Sequence, residues 1–88
     1  GVYLPGRYGI RIENILLCKD HTATEHGKFY RFEALTLCPI DTRAVRKDLL
    51  GAEETAYLNN YHATVLERLS PHLQGDDLRF LQEACAAL

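Results

Sequence analysis

Two side chains near the start of the chain could do chemistry: Arg11 and Glu13, one residue apart and flanked by Ile10 and Ile12. In a strand, alternate residues share a face, so the two isoleucines point one way and Arg11 and Glu13 the other. The apolar run Ile15-Leu16-Leu17-Cys18 follows, the pattern of a strand that ends covered on both sides. An ionisable pair in such a place costs free energy unless its charges are satisfied. The spacing admits two readings. One is an ion pair on a strand. The other is a metal-ligating carboxylate with an arginine beside it, since carboxylates suit hard divalent ions such as Mn²⁺. A neighbouring cation can then orient the other acidic ligands. R-x-E by itself does not choose between them.

Other candidate groups have weaker patterns. His21-Thr22-Ala23-Thr24-Glu25-His26 resembles a zinc-peptidase box, but its histidines stand five apart rather than four. The inverted box also misses by one residue, so a solvated loop is expected there. Leu58-Asn59-Asn60-Tyr61-His62 places two poor helix formers in succession inside a helical pattern. Hydrogen bonding to neighbouring loops is one reason for that. Packing at a subunit interface, with Tyr61 as aromatic anchor, is another. His62 has no nucleophile or acid nearby in sequence, so it reads as a buried, hydrogen-bonded histidine rather than a catalytic one. Ser70 is the only serine and has no nucleophile motif around it. Cys18, Cys38 and Cys85 are odd in number, widely spaced and set among apolar residues, and read as buried free thiols of a reducing compartment.

Elements must hold these groups. Val2-Tyr3-Leu4 reads as a strand, Pro5-Gly6 as a turn, and Tyr8 to Cys18 as a returning central strand, so a hairpin is expected. Lys19 to Lys28 reads as a polar loop, and Phe29 to Leu37 as a third antiparallel strand ended by Pro39. Asp41 to Gly51 is a charged connector that Leu49 and Leu50 would dock. From Ala52 to Leu69 the period turns helical, with Leu58, Tyr61, Val65 and Leu69 on one face and Glu53 and Glu54 at the positive end of the dipole. Pro71 ends it. Gly75-Asp76-Asp77 reads as a turn and N-cap, and Leu78, Leu81, Cys85 and Leu88 as a second stripe. The expected fold class is α+β: antiparallel strands followed by an α-hairpin.

The whole chain sets bounds on these readings. Its 88 residues make one small domain or part of a larger one. With 47% apolar and 25% charged residues it has an ordinary globular composition. A formal net charge of −2 argues against nucleic acid or an anionic membrane as partner. No apolar run is long enough to span a bilayer. Three strands and two helices leave a sheet edge open, and the chain has no methionine and begins in strand-like residues. A natural start further upstream is therefore expected.

Three stretches together resemble one family. Gly1-Val2-Tyr3-Leu4-Pro5-Gly6-Arg7-Tyr8-Gly9-Ile10-Arg11-Ile12-Glu13-Asn14 looks like the segment of Xaa-Pro aminopeptidases that carries their last metal ligand. Phe32-Glu33-Ala34-Leu35-Thr36-Leu37-Cys38-Pro39-Ile40-Asp41-Thr42 resembles the strand that follows in the long, three-domain form. Leu58-Asn59-Asn60-Tyr61-His62 resembles a motif of its C-terminal extension. The resemblance covers most of the chain. It implies residues 1–41 as the last strands of a pita-bread catalytic domain and 42–88 as the helical extension. It also implies a cytoplasmic, homodimeric enzyme that removes an N-terminal residue when proline is second. Two divalent metal ions would do so, usually manganese, with zinc or cobalt as alternatives. Glu13 matches the Glu ligand that bridges the metals, and Arg11 an arginine that contacts a ligand carboxylate. Asn59, Asn60, Tyr61 and His62 are the interface or packing candidates. The remaining ligands would lie upstream of Gly1, so this stretch alone is expected to be inactive. The competing expectation is a pita-bread protein without catalysis that serves as an interaction or dimerisation module.

Overall fold

The computed structural model describes residues 1–88, which form two compact units, Gly1–Thr36 and Leu37–Leu88. The first holds four strands in two separate two-stranded antiparallel sheets. β1 (Val2–Leu4) pairs with β2 (Tyr8–Ile10), Tyr3 opposite Gly9. Their connection is the expected tight turn: Arg7 N–H donates to the Leu4 carbonyl at 2.9 Å, and Gly6 sits at φ +72°. Proline followed by a residue at positive φ is what a type II turn requires, and only glycine takes that φ without a Cβ clash.

The segment Tyr8 to Cys18 is not one strand. β2 stops at Ile10, Arg11–Ile15 is irregular, and β3 runs Leu16–Thr24 against β4 (Gly27–Ala34). The polar stretch expected to be a loop is thus mostly strand. His21 is the extra residue of a bulge, since Asp20 pairs with Tyr30 and Thr22 with Phe29. Lys19 lies opposite Arg31, a repulsive cross-strand pair. The Glu33 carboxylate offsets it on the diagonal, 3.0 Å from Lys19 Nζ. Alternation failed as a guide because neither face of this unit is covered: Ile12 is 67% and Phe32 70% exposed. Cys18 is exposed as well, contrary to the buried thiol expected there.

The second unit has a core. α1 spans Ala52–Leu69, as the helical period predicts, and α2 spans Gly75–Ala84. Tyr61, Val65, Leu81 and Cys85 are its buried apolar residues, and His62 is fully buried among them. Gly51 precedes α1, and the Glu54 carboxylate reaches back to accept its N–H. Glu53 and Glu54 lie in the first turn, where the dipole favours them. Ser70–His72 continue as a 3₁₀ turn around Pro71. At α2 the cap position is Gln74, which makes no side-chain capping bond; Asp76 and Asp77 lie inside the first turn. Leu49 is 72% exposed and docks nothing, whereas Leu50 is half-buried. No helix is long and apolar enough to cross a membrane.

Candidate functional site

Arg11 and Glu13 sit in the irregular stretch between β2 and β3, with Arg11 Nε 2.9 Å from Glu13 Oε1. Pairing of Ile10 with Val2 fixes the upstream end of this stretch. Two bonds fix the downstream end: Ile15 N–H donates to Thr36 Oγ1 at 2.8 Å, and Leu35 N–H to the Ile15 carbonyl at 2.8 Å. The aliphatic stem of Arg11 passes over Gly1, where an added Cβ would come within 2.8 Å of Arg11 Cγ. Sequence reasoning missed this role of Gly1, because nothing local marks a glycine as the floor under a side chain ten positions on.

The pair is more than half exposed on both sides, not buried as the strand pattern suggested. An exposed ion pair is worth about 0–1 kcal/mol, so it does little for stability. Its effect is local: it holds the two side chains together in the irregular stretch between β2 and β3. No group of three or more His, Cys, Asp or Glu side chains comes together that could hold a metal ion. The residues present therefore fit one donor position of a metal centre and not a centre by themselves. His21 lies at the bulge and His26 in the β3–β4 turn, its ring 3.4 Å from Glu25; both are exposed.

In the second unit, Tyr61 and His62 are joined to the segment Cys38–Ile40. The Tyr61 hydroxyl donates to the Cys38 carbonyl at 2.7 Å and accepts from Cys38 N–H at 3.3 Å. His62 Nε2 accepts from Ile40 N–H at 3.1 Å. An accepting Nε2 carries no proton, so the neutral ring holds its hydrogen on Nδ1. Nδ1 is buried and has no partner within the chain. Pro39 interrupts this segment and prevents a regular ladder, and the two side chains satisfy the backbone groups on either side of it. Asn59 Oδ1 accepts from Leu88 N–H at 2.8 Å, so it ties the chain end to α1. The helical asparagine thus has the loop-bonding role that was one of its two expected reasons. Asn60 is exposed, and its backbone carbonyl accepts from Thr64 Oγ1. The Tyr61 and His62 side chains bond backbone groups here, and their work is positioning.

Asp41 closes the same segment. Its carboxylate accepts from Arg43 N–H at 3.0 Å and takes the guanidinium in a fork, Nε at 2.9 Å and the terminal nitrogen at 2.6 Å. The side-chain bonds to Arg43, and next the backbone bond, hold the Asp41 carboxyl down at about 2. A folded-state value below the unfolded one gives a contribution present above the ordinary carboxylate range and lost as pH falls through about 2. The expected result of a carboxyl ¹³C NMR titration is an Asp41 midpoint near 2, returning to the ordinary range in Arg43→Gln.

Comparison with known proteins supplies the context. The family model for the C-terminal region of peptidase M24 matches residues 28–88. Xaa-Pro aminopeptidase app-1 of Caenorhabditis elegans is 43% identical over 90 residues, which covers 97% of this chain and 15% of that protein. A probable Xaa-Pro aminopeptidase P of Laccaria bicolor is 38% identical over 93 residues, covering 100% of this chain and 14% of that one. The crystal structure of X-prolyl aminopeptidase from C. elegans, described as a cytosolic enzyme with a di-nuclear active site, superposes with a TM-score of 0.83 at 41% identity. It is matched over 98% of this chain and 15% of its own. The chain thus spans about one seventh of the relatives it matches. The α+β class expected from the sequence is the one observed, strands first and helices after, as in the pita-bread enzymes. The chain belongs to the peptidase M24 C-terminal family and corresponds to the C-terminal part of a Xaa-Pro aminopeptidase.

Proposed function

We propose that the protein to which this chain belongs is a Xaa-Pro aminopeptidase, a cytoplasmic homodimer that hydrolyses the first residue from peptides with proline second. The observation that carries this reading is the likeness of nearly the whole chain to the C. elegans enzyme, at 41% identity and a TM-score of 0.83. The open sheets support it. Isolated two-stranded hairpins are marginal in water, and the exposed isoleucines and aromatics of the first unit are those of strands that continue into a larger sheet.

In this reading Glu13 supplies one carboxylate to a pair of divalent ions, manganese by preference for oxygen donors. Such a pair supplies an activated water and polarises the scissile carbonyl. Glu13 holds its place through the pinned stretch between β2 and β3. Arg11 keeps the carboxylate oriented through its Nε contact and adds positive charge beside the acidic ligands. Asn59, Asn60, Tyr61 and His62 serve packing or a subunit interface.

One carboxylate cannot hold two ions. The 88-residue chain, purified and supplied with Mn²⁺, is expected to show no turnover of Xaa-Pro peptides under conditions in which the full-length protein is active. Proline-dependent turnover by the chain alone would refute the assignment of the missing ligands to the rest of the protein.

A further inference from the structure

The β3–β4 ladder ends on a side chain close to Glu13. Leu16 stands opposite Ala34 and Leu17 opposite Glu33, so the same register carried one step outward sets Ile15 opposite Leu35. A hydrogen-bonded pair in an antiparallel ladder exchanges both of its N–H···O bonds. One of the two is made here: Leu35 N–H donates to the Ile15 carbonyl at 2.8 Å. The other is diverted. Ile15 N–H donates to Thr36 Oγ1, also at 2.8 Å, one residue beyond its ladder partner. A side-chain oxygen thus stands in for a backbone carbonyl, and regular pairing stops: β3 begins at Leu16 and β4 ends at Ala34. Arg11–Ile15 is left outside the sheet. Glu13 lies two residues from the diverted N–H, its carboxylate 2.9 Å from Arg11 Nε.

We propose, on the reading of Glu13 as a metal ligand, that Thr36 is a positioning residue for its carboxylate. The Thr36 hydroxyl ends the ladder at Ile15 and so sets where the Arg11–Glu13 stretch leaves the strand. It acts through the Ile15 backbone. Threonine suits the task because branching at Cβ restricts χ1, which limits the directions its oxygen can take. Without that oxygen, Ile15 N–H is free to turn to the Leu35 carbonyl, its ladder acceptor. The sheet would then gain a rung and draw Glu13 toward it. Metal ligands tolerate only a few tenths of an ångström of such movement. The stability of the fold is a separate matter. Ile15 is 69% exposed, so water can also satisfy the freed N–H. Loss of the hydroxyl therefore acts on the placement of Glu13 and leaves the fold in place.

The test compares Thr36→Val and Thr36→Ser in the full-length protein, with Glu13→Gln beside them. Mn²⁺ is titrated into each metal-free protein, and the free ion is followed by its electron paramagnetic resonance signal. Urea unfolding of the same metal-free samples reports the fold. Valine keeps the shape of threonine and removes the oxygen, and Thr36→Val should bind Mn²⁺ about 10-fold more weakly, the size typical of losing a group that orients a ligand. Its unfolding midpoint should match wild type. Thr36→Ser keeps the oxygen and should restore most of the affinity. Wild-type Mn²⁺ affinity in Thr36→Val, with Glu13→Gln impaired, would overturn the proposal and leave Glu13 a ligand. Unimpaired binding in Glu13→Gln would instead overturn the ligand reading on which the proposal stands. Equal weakening in Thr36→Val and Thr36→Ser, or weakening that accompanies a lowered midpoint, would assign Thr36 to packing and overturn its positioning role.

Discussion

Glu13→Gln in the full-length protein is expected to abolish Xaa-Pro aminopeptidase turnover while leaving the fold in place. The substitution keeps the size of the side chain and its polarity but removes the negative charge that a divalent ion needs. Glu13 is exposed and contributes no buried contact, so circular dichroism and the unfolding midpoint should stay within error of wild type. The loss of kcat/KM should exceed the roughly 10–100-fold typical of removing a partner from outside the ligand set. Arg11→Gln provides the comparison. Its loss should fall within that range and be partly restored by Arg11→Lys, which keeps charge but not the planar fork. A Glu13→Gln enzyme that retains near wild-type kcat/KM would remove Glu13 from the ligand set.

Tyr61→Phe and His62→Ala carry the largest stability costs expected in the second unit. Tyr61→Phe removes one hydroxyl that serves both backbone groups of Cys38. Leaving such groups unpaired should cost about 1–3 kcal/mol. His62→Ala leaves Ile40 N–H without its acceptor and opens a cavity at a fully buried position. Its cost should be about 2–4 kcal/mol. His62→Gln retains an acceptor and should lose less. Urea unfolding gives these values directly, with the midpoint falling and the slope unchanged. Hydrogen exchange should locate the damage, with the Cys38 amide deprotected in Tyr61→Phe and the Ile40 amide in His62→Ala. Unchanged midpoints in both variants would show that the segment is held by something else.

The sequence made some of this structure legible and hid the rest for physical reasons. Where one face of an element is covered, periodicity works: Tyr61 and Val65 of the α1 stripe are buried, and the helix has the predicted bounds. Pro5-Gly6 likewise announced its turn, because the backbone there requires those residues. In the β3–β4 hairpin neither face is covered, so alternation carries no information, and polar Lys19 to Thr24 read as a loop although they are strand. The apparent continuity from Ile10 to Cys18 concealed a break, because apolar residues in an irregular stretch look like strand residues. The Arg11–Glu13 pair was legible as a pair. Its exposure was not, since exposure depends on which parts of a sheet surround it. The clamp on Cys38 and Ile40 had no local signature at all: its donors and acceptors are more than twenty positions apart, and a side chain bonded to distant backbone leaves only its residue type behind.

The exposed pair and the buried clamp divide the work of the chain. The first unit holds the Arg11–Glu13 pair between short, uncovered strands; the second has its own core and fixes the segment that begins it. Small deviations in aim matter in a metal site, where ligand distances are held within tenths of an ångström. An added Cβ on Gly1 would stand 2.8 Å from Arg11 Cγ, so a side chain there would crowd the arginine that pairs with Glu13.

Metal content separates a ligand role for Glu13 from a plain ion pair. The full-length protein and its Glu13→Gln variant, both dialysed against a weak chelator and reloaded with Mn²⁺, are to be measured by inductively coupled plasma mass spectrometry. The expected result is two ions per chain in the wild type and a loss of at least one in the variant, with folding unchanged. A variant that retains both ions at wild-type affinity would contradict it.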